Sequence, residues 1–420
     1  MLAVVPVPTV KSTCANSARG SDDDGALGEL ELPHALADKK RTPHRKQDRR
    51  RDISEESHGA VHNASTPGLA WDGADSKMRR MRRIGQVGRV GRVGSRVGVA
   101  LMLWLVTATA QAQDGCDRAC LESMLDRYVD ALVRRDPSGV PAIPSAVFTE
   151  NGQRLALGDG LWHTVTGRGG YALRLADVER GQAVLMGTIR EADVPTILVV
   201  RLRVVRRRIE EIETLVIRND AAARSLDTIG APRAAWAAAV PAAERHTRAD
   251  LARIANMYFS GIEKNDGRGV YPIAETCARL ENGAVTAGDP ALVLGPAAAA
   301  ARGGDPARPR TGCRQQFESG VFFYVTRIRD RRFVLVDPER GLAFAFAFFD
   351  NASGDARTGT LADGRTVASG PVIPWTWQIA EVFKIERGLI GPVESVLHQV
   401  PYGMGSGWST WAEAMSSAPR

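Results

Sequence analysis

Two stretches of this chain repeat apolar residues at the three-and-four spacing of an amphipathic helix. In the first, Leu121, Met124, Leu125, Tyr128, Val129 and Leu132 share a face; in the second, Leu251, Ile254, Ala255, Tyr258 and Ile262 do so. Each stretch ends in a polar break, Arg134-Arg-Asp-Pro137 and Lys264-Asn-Asp-Gly267. The period then changes to short runs rich in Val, Ile and aromatics, which predict strands. After the first helix these lie at 147–149, 161–166, 171–175, 182–190, 196–205 and 210–218; after the second, at 322–329, 332–336, 342–349, 375–385 and 393–400. A long helix followed by antiparallel strands is an α+β pattern. The expected architecture is two tandem cone-shaped domains, each a helix layer over a strongly curved, mainly antiparallel sheet with a cavity between them.

The two halves also agree in sequence. Residues 160–181 lie without a gap on 320–341, sharing Asp-x-Glu-Arg-Gly at 177–181 and 337–341. Upstream, Glu150-Asn-Gly152 matches Glu281-Asn-Gly283. Downstream, 203–215 matches 384–396, with Ile209/Ile390 and Glu213/Glu394 as anchors. The order of matches is the same in both halves, so one fold is present twice, and differences between the copies point to where function sits.

The formal net charge of +7 does not point to nucleic acid, because much of it lies outside both repeats, at 39–51 and 79–83. The second basic run opens a secretory signal: Met78-Arg-Arg-Met-Arg-Arg83, an apolar stretch at 97–110, and Ala110-Gln-Ala112 as a cleavage site. The apolar stretch is shorter than the roughly 20 residues of a spanning helix, so no stable membrane insertion is expected. The mature protein is read as periplasmic or secreted, cleaved near Ala112. Residues 1–77 are polar and lack an apolar period, so they are a disordered or mis-started extension. The division is then 78–112 signal, 113–220 first domain, 221–247 an Ala- and Pro-rich linker, 248–410 second domain and 411–420 tail. The second domain carries two insertions, 284–319 and 351–374, that read as loops.

Cys116, Cys120, Cys277 and Cys313 remain in the mature chain, and export makes disulfides the expectation. Of the three pairings, Cys277–Cys313 would close the base of an insertion. Cys116–Cys120 requires that the intervening turn not be wholly helical. A zinc site is the alternative, but it lacks a nearby His and a Cys-x-x-Cys.

The helices, the strands and the line Ala380-Glu-Val-Phe-Lys-Ile-Glu-Arg-Gly-Leu-Ile390, with its Glu-x-Phe-x-Ile-x-x-Gly-x-Ile, resemble the nuclear transport factor 2-like superfamily (polyketide-cyclase-like or SnoaL-like proteins). The ending Pro401-Tyr-Gly-Met-Gly-Ser-Gly-Trp408 and the Val-Asp-Pro-Glu-Arg-Gly segment look like a tandem-domain, secreted subgroup of unassigned function. The resemblance covers about 115–408. It implies cofactor-free chemistry, with acids, a His or a Tyr performing proton transfers inside an apolar cone. It also implies pairing of two copies through their sheets as an intramolecular pseudo-dimer, with further oligomerisation open. The superfamily hosts isomerases, cyclases, dehydratases, hydrolases and non-catalytic binders, so the fold does not choose among them.

No P-loop, dinucleotide fingerprint, metalloprotease helix or nucleophile elbow is present, and seven scattered His do not make a metal cluster. The difference between copies remains. Alternation puts Trp377, Ile379, Glu381, Phe383 and Ile385 on one strand face, and Glu394, Val396 and His398 on one face of the next. The first copy has Val200 and Ile217 where the second has Glu381 and His398. A lone Glu on an apolar face needs a partner or a cavity. Glu381 is therefore the candidate base, His398 or Tyr258 the donor, and Trp377, Phe383, Tyr402 and Trp408 the candidate ligand-binding residues. The alternative is an Arg partner for Glu381, a wet strand end for His398 and plain core packing for Tyr258. Charges shared by both copies, such as Asp177/Asp337 and Glu213/Glu394, read as scaffolding. Two functions follow. One is a lyase, isomerase or hydratase acting, without cofactor or metal, on a small apolar or aromatic molecule in the second cone. The other is a non-catalytic binding or assembly protein with filled cones.

Overall fold

The computed structural model describes residues 115–291 and 311–420. The extension at 1–77, the signal at 78–112 and the middle of the first insertion lie outside the described residues. Helix α1 (Arg118–Val133) starts where Asp117 accepts a hydrogen bond from the Cys120 amide, and α3 (Arg248–Ile262) starts where Thr247 accepts one from Asp250. Such caps satisfy amides that the helix itself leaves free. Each helix lays its apolar stripe across a curved six-stranded sheet. In the first domain the strands are β1 (Ala142–Glu150), β2 (Gln153–Leu155), β3 (Val165–Asp177), β4 (Gln182–Glu191), β5 (Val194–Val205) and β6 (Arg208–Ile217), in the order β2-β1-β6-β5-β4-β3. In the second they are β7 (Arg279–Glu281), β8 (Ala284–Ala287), β9 (Arg327–Asp337), β10 (Leu342–Asn351), β13 (Trp375–Glu386) and β14 (Leu389–Val400), in the order β8-β7-β14-β13-β10-β9. The two orders correspond strand for strand. In each sheet one pair is parallel, β1 with β6 and β7 with β14. Ladder register also equates Val200, opposite Thr214, with Glu381, opposite Ser395.

Two expected strands begin late. Residues Gly160–His163 form a 3-10 turn, and β9 starts only at Arg327. The cause is packing: Trp162 turns inward against Tyr128, with ring centroids 5.6 Å apart, and Phe322 turns against Phe317 at 5.5 Å. The insertions are not wholly loop either. The first contains β8 and the short helix α4 (Cys313–Glu318), and the second contains the hairpin β11 (Thr358–Thr360) with β12 (Thr366–Ala368). The four cysteines form two disulfides, Cys116–Cys120 and Cys277–Cys313, with Cα atoms 5.2 and 5.8 Å apart. Cys116 precedes α1 and only Cys120 lies in its first turn, which relieves the geometric difficulty of the short bridge.

The faces of the two sheets turned away from their helices pack on each other. Leu173, Val184, Met186, Val199 and Leu215 of one meet Leu342, Phe344, Phe346, Val382 and Val396 of the other in one buried cluster. Helix α2 (Asp220–Ile229) and Trp236 of the linker join this cluster through Ala223, Leu226 and the indole. The charges shared by the copies serve this seam reciprocally. Arg118, at the start of α1, pairs with Asp337 at 2.8 Å. Arg248, at the start of α3, donates to Asp177 at 2.9 Å. Glu213 accepts from Arg332 at 3.0 Å, while Glu394 accepts from the Tyr171 hydroxyl at 2.8 Å. Contact i-to-j matched by j-to-i is the geometry of an isologous pair.

Candidate functional site

Strand β13 sorts its side chains between two environments. Ala380 and Val382 point into the seam, whereas Ile379, Phe383 and Ile385 point into the second cone. Glu381 shares the parity of the second set, and it is 3% exposed. Tyr258 hangs from α3 into the same cone, its ring 5.1 Å from that of Phe383. The Tyr258 hydroxyl accepts from Arg279 Nη1 at 3.1 Å. Arg279 is itself buried on β7; its other nitrogens reach Thr286 Oγ1 at 2.9 Å, Gln316 Oε1 at 2.7 Å and Glu281 Oε1 at 3.1 Å. One apolar cone thus holds a carboxyl, a phenol and a guanidinium.

Burial governs the electrostatics here. Loss of solvent pushes the Glu381 carboxyl up to about 8, Glu281 adds to the rise, and Arg279 and the Tyr258 hydroxyl pull the other way by less. At neutral pH the acid is therefore protonated, a neutral donor in an apolar wall. Burial raises Tyr258 against the pull of Arg279, and raises Tyr324, close to Glu281 and Arg279, to about 12. Glu381 Oε2 has no hydrogen-bond partner in the protein, and neither does the buried Ser395 Oγ. These residues are cross-strand neighbours in the β13–β14 ladder, and Ser395 shares its parity with Val393, which packs in the cone. Directly paired side chains lie about 5 Å apart at Cβ. Buried polar groups are ordinarily paired, and these two stand on neighbouring strands of one apolar cone.

The first cone has neither of these groups; its own orphaned atom is Trp162 Nε1, set against Tyr128. Val200 stands at the place of Glu381, and Thr214, at the place of Ser395, donates to the Thr149 carbonyl at 2.8 Å. The match of Glu150 to Glu281 puts Phe148 where Arg279 stands. Arg279 and Ser395 escaped the sequence reading, although the comparison between copies that singled out Glu381 would have found Arg279 two residues before Glu281.

The structure separates other candidates from Glu381. His398 shares its face with Val396, which belongs to the seam, and its Nε2 lies 3.1 Å from Gln378 Oε1. Burial and the nearby Arg218 hold its imidazole down to about 4, so it is neutral. It cannot serve as Glu381's donor because the sheet lies between them; strand alternation sets this. Trp408 also leaves the cone: its Nε1 donates to Thr149 Oγ1 at 2.9 Å, and Arg201 of the first domain lies 4.8 Å over its ring. Tyr402 is 46% exposed, in the turn that follows β14. Trp377 is half-buried at the cone's edge, stacked edge-on against Trp375 at 4.5 Å. Phe383 is fully buried in the cone.

Side chains occupy both cones. In the second, Tyr258, Phe259, Phe317 and Phe383 pack ring on ring; in the first, Tyr128, Trp162, Leu161 and Phe148 do the equivalent. Among the described residues no cluster of His, Cys, Asp and Glu could hold a metal ion, and no helix is long and apolar enough to cross a membrane.

Residues 244–397, from just before α3 into β14, match a family model described as a domain of unknown function, DUF8021. A comparison with curated proteins gives no match. Among solved structures, the chain is similar to a steroid delta-isomerase from Pseudomonas aeruginosa, with 21% identity, 26% of this chain and 86% of that chain covered, and a TM-score of 0.20.

Proposed function

We propose that this is an exported protein of the nuclear transport factor 2-like kind, whose second domain (248–410) binds a small, largely apolar or aromatic molecule in its cone. The first domain (113–220) and the linker (221–247) form its scaffold. The observation that carries the reading is the pair of unpartnered buried atoms, Glu381 Oε2 and Ser395 Oγ, at positions where the first domain has Val200 and a satisfied Thr214. A ligand oxygen meeting both would remove the cost of burying them. Glu381 protonated at neutral pH donates to a carbonyl or hydroxyl, and once ionised it takes a proton. Tyr258, held by Arg279, stabilises the charge that develops. This is the equipment of a cofactor-free lyase, isomerase or hydratase. The two disulfides support export.

Thermal-shift measurement against small aromatic and alicyclic carbonyl compounds tests the reading. A compound that raises the Tm of the wild type and of Val200→Thr, but not of Glu381→Leu, is the expected outcome. Equal shifts in Glu381→Leu, or no shift with any compound, would overturn it. The filled cones favour a second reading, a non-catalytic assembly protein built around the seam, and an absence of any shift would leave that reading standing.

A further inference from the structure

Ring-filling of the two cones is done by different parts of the chain. In the first, the ring set against Tyr128 is Trp162, which belongs to the repeated fold. In the second, Tyr258 meets Phe317 at 4.9 Å, and Phe317 is carried by α4, inside an insertion that the first domain lacks. Its ring is fully buried. It rests against α3 at Gly261, where a Cβ would come within 3.0 Å of it; the first helix has Ala131 at the matching position. The same Cβ would come within 2.9 Å of Tyr271, so the glycine makes room for two rings, one of them supplied by the insertion.

Several contacts anchor α4: Arg314 donates to the carbonyls of Tyr271 and Ile273 and pairs with Glu275 at 2.9 Å. Cys313, its first residue, is tied to Cys277. Gln316 bridges Arg279 Nη2 and the Thr286 carbonyl, and Asn265 Nδ2 holds the Phe317 carbonyl at 3.1 Å. Six residues do not make a helix that is stable by itself, so these contacts and the buried ring keep it in place. Withdrawing α4 about its disulfide tether would free a ring-sized slot beside Tyr258 and one N–H of Arg279. That slot lies in the cone that holds Glu381 Oε2 and Ser395 Oγ. The Arg279 charge is balanced by Glu281 at 3.1 Å, so the slot does not call for an anion.

We infer that Phe317 occupies the place of the ligand's own ring, and that the second cone takes a neutral, planar aromatic molecule carrying a hydrogen-bonding oxygen, admitted as α4 swings aside. The inference rests on the second cone being the ligand site. In it, the ring packs against Tyr258 and Gly261, and the oxygen meets Glu381, Ser395 and Arg279. The resident Phe317 competes with the ligand, which lowers the apparent affinity by the fraction of time the slot is free.

Calorimetric titration with 4-hydroxyacetophenone, and with toluene as the ring without the oxygen, tests this. Phe317→Ala is expected to bind 4-hydroxyacetophenone roughly tenfold or more tightly than the wild type, to prefer it clearly over toluene, and to lose that preference when Glu381→Leu is added. Equal affinity for the two compounds would mean a simple deletion cavity of the sort that binds any apolar ring, and would overturn the proposal. Phe317→Leu, which keeps the apolar bulk and drops the ring, guards against misfolding; it should show a smaller gain in the same direction. Affinity at or below wild type in both variants, with wild-type binding still lost in Glu381→Leu, overturns the role of Phe317 and leaves the site. No binding to any form overturns both.

Discussion

At the scale of single residues, Glu381 makes the sharpest demand on the fold. Its carboxyl is raised to about 8, chiefly by burial, with Glu281, Arg279 and Tyr258 facing it. A raised acid holds its proton more tightly folded than unfolded, so its stabilising contribution is complete at low pH and is lost as pH climbs through about 8. Glu394, raised to about 7 by burial beside Tyr171, acts in the same direction over a lower window. His398 works oppositely: depressed to about 4, it favours the fold above its ordinary range and withdraws support below it. Above pH 6.5 the carboxyls therefore dominate, and stability should fall towards pH 8. Each such proton contributes a slope of at most about 1.4 kcal/mol per pH unit. Urea unfolding at several values from pH 6.5 to 8 should show this decline in the wild type and a shallower one in Glu381→Gln, which keeps the shape and cannot ionise. An unchanged slope in the variant would mean that Glu381 is already ionised in the fold.

Among elements, α4 and the disulfides are the informative parts. Cys277 and Cys313 stand 36 residues apart, and closing such a loop restricts the unfolded chain by roughly 2–4 kcal/mol. Cys277→Ser with Cys313→Ser should lower stability by that amount in denaturant titration, and should loosen α4 before the rest of the fold. Thiol titration of residues 113–420, denatured without reductant, should find none of Cys116, Cys120, Cys277 and Cys313 free; four free thiols would refute both bridges. The short β7 deserves equal weight with the long β13, since one brings Arg279 and the other Glu381 to the same cone. Strand alternation explains why His398, only three ladder steps from Ser395, serves a different face.

For the molecule as a whole, the seam decides cooperativity. A cluster shared by both sheets, with reciprocal ion pairs on it, couples the domains. Calorimetry should give one transition with equal calorimetric and van't Hoff enthalpies; two separated transitions would show that the seam is weak. Removing Glu213 takes from buried Arg332 its nearest carboxylate, leaving Asp330 at 3.6 Å, and leaves Arg201 with Glu211. Glu213→Ala should then cost roughly 3–5 kcal/mol, the range for breaking a buried pair, measured by chemical denaturation. The solvated pair Arg365–Asp363 is the control, and its removal should cost under about 1 kcal/mol. Mass spectrometry of protein from its native envelope should find a start near Gln113, and a cytoplasmic product retaining residues 1–77 would contradict export.

What the chain's order of residues determined by itself was periodicity and duplication. Apolar spacing placed α1 and α3 and most strands, because a helix or strand face must be buried whatever surrounds it. The internal match disclosed two copies, and the contrast of Val200 with Glu381 marked the second cone. The tertiary structure decided which faces meet. Two sheets turned back to back give their central strands two buried sides, so an alternating pattern there cannot tell cone from seam. For that reason Glu381 and His398 looked alike in the sequence and lie on opposite faces. Arg279, Ser395 and Phe317 reach the cone from a three-residue strand, the far side of a ladder and an inserted helix; only the folded chain brings them to one place.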